Sequence, residues 1–137
     1  MPDLNRILEI ERASFGDDAY DRKLFAELFH RCGELFLVAE RGRNILGYMI
    51  TCVWGAHAEV VSVAVDPAAR GEGAASALMN STLRRLRLRA IARIGLMVKV
   101  TNEEARAFYE KYGFERVRRV RRYYKDGEDG WLMARDL

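Results

Sequence analysis

The chain is poor in the residues that mark several common chemistries, with only two prolines, two cysteines and two histidines in 137 residues. His30 and His57 have no Cys, His or carboxylate at ligand spacing, so no metal is expected. No serine stands in the strand-to-helix turn that exposes a hydrolase nucleophile. Cys32 and Cys52 each stand alone in apolar surroundings and are expected to be small, unpaired, buried hydrophobes in a reducing compartment, neither of them catalytic. No apolar run approaches the roughly 20 residues that span a bilayer, and Met1 to Arg6 lacks the apolar core of a signal peptide. Those absences point to a cytoplasmic protein with no membrane partner. Internal repeats and low-complexity tracts are also missing.

What is present fits one globular domain over residues 1–137, long enough to bury its own core. Half the residues are apolar and 31% are charged, which argues against disorder beyond the ends. The net charge is only +3, yet arginines gather at Arg84, Arg85, Arg87 and Arg89, and again at Arg116, Arg118, Arg119, Arg121 and Arg122. Such clusters serve as solvated faces, as contacts to phosphates or an acidic peptide, or as a ribosomal RNA surface; nucleic-acid contact is not predicted.

Periodicity gives the elements. Leu4, Ile7, Leu8 and Glu11 to Phe15 show helical spacing behind a cap at Asp3, and residues 21–29 repeat the pattern. Residues 35–39 and 45–53 read as strands joined by a turn at Gly42-Arg43-Asn44, and residues 59–65 as a strand that Pro67 ends. A helix follows Gly73, with Ala75, Leu78, Met79, Leu83, Leu86 and Ala90 on its apolar face. Ile94, Leu96, Val98 and Val100 alternate as the next strand. A capping box at Thr101-x-x-Glu104 is expected to open the last helix and Gly113 to close it, ahead of a hairpin over 115–124 and 131–135.

Two of these junctions carry chemistry. The strand ending at Val65 runs through Asp66-Pro67-Ala68-Ala69-Arg70-Gly71-Glu72-Gly73 into a helix. A helix start offers about four unpartnered N–H groups and roughly half a positive charge, so this turn can cradle a pyrophosphate; glycines also serve ordinary tight turns. The second junction runs from Leu96-Met97-Val98-Lys99 through Asn102 to Phe108-Tyr109-Glu110-Lys111-x-Gly113-Phe114.

Arg70-x-x-Gly73-x-Ala75, with Asn102 and the Phe108 to Phe114 segment, resembles the GNAT N-acetyltransferase superfamily. Arg122-Tyr123-Tyr124-Lys125-Asp126-Gly127-Glu128-Asp129-Gly130 further resembles the closing hairpin of RimI-type and archaeal protein N-terminal acetyltransferases. The resemblance covers nearly the whole chain. It implies an α/β (α+β) fold: a mixed, mostly antiparallel sheet of about six strands with a splayed central parallel pair, and four helices. The strand that usually precedes the first helix is missing from the pattern.

The resemblance also implies the site. Acetyl-CoA is the expected cofactor, held by Val63, Ala64, Val65, Arg70, Gly71, Glu72, Gly73, Ala74, Ala75, Ser76, Asn102 and Tyr109. Tyr109 matches the tyrosine near the coenzyme sulfur, although its helical spacing also suits core packing, and Asn102 equally suits a helix cap. The RimI-type glutamate position is occupied by Met97, which cannot accept a proton, so Glu59 is the expected base, acting through water; a rim carboxylate is the alternative. Phe15, Tyr20, Tyr123 and Tyr124 are expected to bind the acceptor, with the loop around Asp17 to Tyr20 setting its preference. An α-amine with a pKa near 7.7–8.0 is substantially neutral at physiological pH, whereas freeing a lysine amine costs about 4–5 kcal/mol at pH 7. A weakly based site therefore favours a protein or peptide N-terminus, a ribosomal protein being one such partner, attacked directly in a ternary complex. The alternatives are a small-molecule amine acetyltransferase for polyamines or aminoglycosides, and an acetyl-CoA-binding module with weakened catalysis. A monomer or weak dimer is expected.

Overall fold

The computed structural model describes residues 3–137. Helix α1 (Leu4–Phe15) starts at Asp3, whose carboxylate accepts from the backbone N–H groups of Asn5 and Arg6. A short 3-10 turn, Gly16–Asp18, leads towards α2 (Arg22–Cys32), capped by Asp21 through the Leu24 N–H at 2.9 Å. The strands β1 (Phe36–Arg41), β2 (Asn44–Trp54) and β3 (His57–Val65) then form an antiparallel meander. Helix α3 (Ala74–Leu88), strand β4 (Arg93–Lys99) and helix α4 (Glu103–Lys111) follow, and β5 (Glu115–Val120) pairs with β6 (Gly130–Asp136).

The sheet order is β1-β2-β3-β4-β6-β5, with β3–β4 as the parallel pair, so the expected six-stranded sheet and four helices are present. Alternation along the strands divides the core between two faces. Tyr48, Ile50 and Cys52 pack with α1 and α2, while Met49, Ile94, Leu96 and Val98 pack with α3 and α4. Within the described residues β1 forms one edge of the sheet. Met1 and Pro2, on which the missing-strand expectation bears, lie outside them.

Two features of the β3 backbone position the site. It pairs with β4 only from His57 to Glu59, against Arg93 to Gly95, and beyond Glu59 the two strands part. Immediately after that point the register with β2 slips: Thr51 lies opposite Val60 and Ile50 opposite Ser62, leaving Val61 as the extra residue of a bulge. A bulge bends its strand and increases the local twist, which accounts for β3 turning away from β4.

Three local expectations are corrected. Cys32 and Cys52 are not free; they form a disulfide with a Cα–Cα distance of 5.1 Å, tying the end of α2 to β2. Their separation of 20 positions hid a contact that only the folded sheet creates. The cap of α4 is Asn102, whose side-chain oxygen accepts from the Ala105 N–H at 3.1 Å. Thr101 instead donates its hydroxyl to Glu128 across the β5–β6 connection, so no capping box forms there. Finally, β5 stops at Val120 rather than at Tyr124, because Arg122 takes a left-handed conformation, φ 51°, and gives its N–H to Asp129 at 2.9 Å.

Candidate active site

The turn before α3 has the features of an anion cradle. Gly71 and Gly73 adopt φ of 83° and 85°, values that side chains disfavour, and a Cβ on either would face open space. Gly73 is the N-cap of a 15-residue helix and offers no side-chain cap. The N–H groups of Ala74, Ala75 and Ser76 are thereby left for an outside acceptor, in the field of the helix dipole. Glu72 would oppose an anion there, but Arg41 pairs with it at 2.6 Å. Arg70 is exposed at the mouth of the turn. The edge of β3 from Val63 to Val65 faces the gap where no β4 ladder continues, leaving backbone groups for the amides of an extended ligand. The residues present therefore fit a pyrophosphate-bearing, pantetheine-like molecule running from the turn into the splay.

On the α3/α4 side, Tyr109 is 8% exposed between Phe108 and Phe114, with ring centroids 5.6 and 5.8 Å away. Burial pushes its phenol up to about 12, which keeps it protonated through the neutral range. Among the described residues no hydrogen bond engages its hydroxyl, so the proton is available to a ligand. Asn102 commits its side-chain oxygen to the cap.

The residues expected to meet the acceptor begin on the α1/α2 face. Glu59 pairs with Gly95, and Met97 and Lys99 follow on the same face of β4. Glu59 is exposed at the lip of an open recess, together with Trp54, His57, Val117 and Leu132. Met97 packs beneath the hairpin: a Cβ on Gly130 would lie 2.8 Å from the Met97 methyl and 3.2 Å from the Tyr124 ring, so a side chain there would have to push the end of Met97 aside. Tyr123 and Tyr124 stack edge to face at 5.0 Å. Burial raises Tyr124 well above the ordinary tyrosine range, with Tyr123, Tyr109 and Tyr20 adding and Lys99 opposing. Burial also raises Tyr20, followed by the charge of Glu11 and the influence of Tyr123 and Glu59. Tyr123 and Tyr124 are thus in contact, with Tyr20 close enough to feel Tyr123 and Glu59, and Tyr124 close enough to feel Tyr109. Phe15 stands exposed at the end of α1, and no aromatic contact joins it to that group among the described residues.

Two residues were missed by the sequence reading. Lys99 bridges Asp126 at 2.9 Å, Asp18 at 3.0 Å and Glu128 at 3.4 Å, tying the Gly16–Asp18 turn to the β5–β6 connection. Its ammonium is held charged by those hydrogen bonds, first Asp126 and then Asp18. Glu11 is buried in α1 at a position that continues the stripe of Leu4, Ile7 and Leu8. A carboxylate at a core position was the available signal.

Known proteins resemble this chain in sequence and fold. The pattern of the Acetyltransferase (GNAT) family matches residues 4–114. The N-alpha-acetyltransferase of Saccharolobus solfataricus is 33% identical over an alignment covering 100% of this chain and 89% of that protein. The crystal structure of Ard1 from Thermoplasma volcanium superposes with a TM-score of 0.94 at 27% identity, covering 98% of this chain and 90% of that one. The ribosomal-protein-S18-alanine N-acetyltransferase from Escherichia coli gives 0.82 at 31% identity, with 98% and 87% covered.

Proposed function

The chain belongs to the GNAT acetyltransferase family, and from that premise we propose that it acetylates the free α-amine of a polypeptide by direct attack in a ternary complex. The observation that carries this reading is the open splay between β3 and β4, with a phosphate cradle at one end and Glu59 at the end where the two strands still pair. Relatives named for N-terminal acetylation support the acceptor class. A ribosomal protein in the cytoplasm is the partner this reading favours, with residues 1–137 acting as one catalytic domain.

Acetyl-CoA supplies the acetyl group as a thioester. The N–H groups of Ala74 to Ser76, with Arg70, would hold its pyrophosphate, and the free edge of Val63, Ala64 and Val65 would align its pantetheine arm. Gly71 and Gly73 keep the turn open, Glu72 stays neutralised by Arg41, and Asn102 closes the second flank. Tyr123 and Tyr124 would hold the backbone of the first acceptor residues, and Tyr20 and Phe15 their side chains. Glu59 would accept the ammonium proton through water, the second amine proton would pass to the coenzyme thiolate as the C–N bond forms and the C–S bond breaks, and Tyr109 would donate a hydrogen bond to that sulfur. An α-amine needs little help to lose its proton near neutral pH, so an exposed carboxylate suffices where a lysine would need a stronger device.

Release of thiol from acetyl-CoA tests the reading. Peptides with free N-termini should be turned over, whereas N-terminally blocked lysine peptides and polyamines should not. Turnover confined to small amines would replace it with the small-molecule alternative, and acetyl-CoA binding without turnover would replace it with the regulatory one. Glu59→Gln should lower kcat by roughly 10²-fold. Met97→Glu should leave activity unchanged or raised, because it places a second carboxylate on the same face. An indifferent Glu59→Gln removes Glu59 as the base.

A further inference from the structure

Glu11 is 1% exposed, and among the described residues no cation pairs with it. Burying a carboxylate without a counter-ion costs several kcal/mol unless donors replace its water. Three donors do so here. The Tyr48 hydroxyl and the Ser62 hydroxyl, the latter at 2.9 Å, both donate to Oε1, and the Tyr20 backbone N–H donates to Oε2 at 2.9 Å. These partners belong to two different walls. Ser62 flanks the bulge at Val61, where β3 leaves β4, and Tyr20 ends the loop between α1 and α2. The Tyr20 hydroxyl lies 3.4 Å from the Val61 carbonyl, towards which it donates, so the two walls also meet each other.

We propose that Glu11 is a positioning residue that sets the acceptor pocket, fixing with one buried carboxylate both the bulge of β3 and the placement of Tyr20. An apolar side chain at the same point of the α1 stripe would fill the core and leave both walls untethered. Glu11 touches neither the phosphate cradle nor Tyr109, so its influence falls on the acceptor and spares acetyl-CoA. The proposal rests on the reading of the Tyr20 face as the acceptor side.

Steady-state kinetics with both substrates varied test it, alongside thermal unfolding. Turnover of free-N-terminal peptides by the parent enzyme is read first; its absence would overturn the acceptor reading and this proposal together. Given that turnover, Glu11→Met should raise the peptide KM about 10-fold while changing the acetyl-CoA KM less than about twofold. Glu11→Gln should recover to within about threefold of the parent, because its carbonyl can accept from Tyr20 while its amide donates to the two hydroxyls. Tyr20→Phe combined with Glu11→Met should be non-additive in peptide KM. If Glu11→Met does not fold, Ser62→Ala, which releases the bulge alone, should show the same one-sided rise. Variants that lose only thermal stability, or in which both KM values rise together, would overturn the positioning role and leave the acceptor reading standing.

Discussion

At the scale of single residues, the assignment of Tyr109 rests on a conflict between its two surroundings. Its ring packs in the α3/α4 core, while its hydroxyl is uncommitted among the described residues and its phenol is pushed up to about 12 by burial. Tyr109→Phe should therefore keep the ring contacts, change stability by about 1 kcal/mol or less, and lower kcat by about 10²-fold with acetyl-CoA affinity intact. Rapid-quench or steady-state kinetics beside a melting curve will separate those effects. With its phenol held near 12, Tyr109 stays protonated across the working range, so an alkaline limb in kcat below about pH 10 must come from another group. The sequence offered Tyr109 both roles; the structure packs its ring in the core and, among the described residues, leaves its hydroxyl uncommitted. Glu11 was less legible. A glutamate within an apolar stripe reads as the polar margin of a helix until Tyr20, Tyr48 and Ser62 converge on it from three other elements.

At the scale of elements, ends were harder to read than cores. The alternation of Ile94, Leu96 and Val98 located β4 because each residue must face the same packed layer. Its junction with α4 was misassigned, since Thr101 and Asn102 are both good caps and only folding showed Thr101 turned towards Glu128. The two positions make opposite predictions. Asn102→Ala should destabilise the protein by about 1 kcal/mol, and Thr101→Ala by less than about 0.5 kcal/mol, as measured by denaturant unfolding. Equal losses would return the cap to Thr101. The splay between β3 and β4 was implied by the resemblance alone. Its cause, the bulge at Val61, has no signature in a run of valines, because register is fixed by the neighbouring strand.

At the scale of the whole molecule, the two cores are held to one sheet, and the α1/α2 layer carries a covalent tie in addition. The disulfide between Cys32 and Cys52 joins residues 20 apart, a loop for which chain-entropy arguments give about 3 kcal/mol. Reduction should lower the unfolding free energy by about that amount. Unchanged denaturant midpoints with and without reductant would show that the tie contributes nothing. The disulfide also bears on the reducing compartment expected from two isolated cysteines, since such bonds persist where the environment or the protein resists reduction. The fold class, the cradle at Gly73 and the tyrosines of the hairpin were legible because each depends on a contiguous stretch. The ties made by Lys99, Glu11 and the bulge were not, because they act between segments far apart in the chain.

The central claim is that both substrates sit together, with the acceptor an α-amine. The most direct test is the affinity of a conjugate in which coenzyme A is joined through an acetyl bridge to the N-terminus of a short peptide. It should be compared with coenzyme A alone and with the same peptide joined through a lysine side chain. The N-terminal conjugate is predicted to bind at least about 10²-fold more tightly than coenzyme A. An N-terminal conjugate no tighter than coenzyme A, or weaker than the lysine-linked one, would contradict the account.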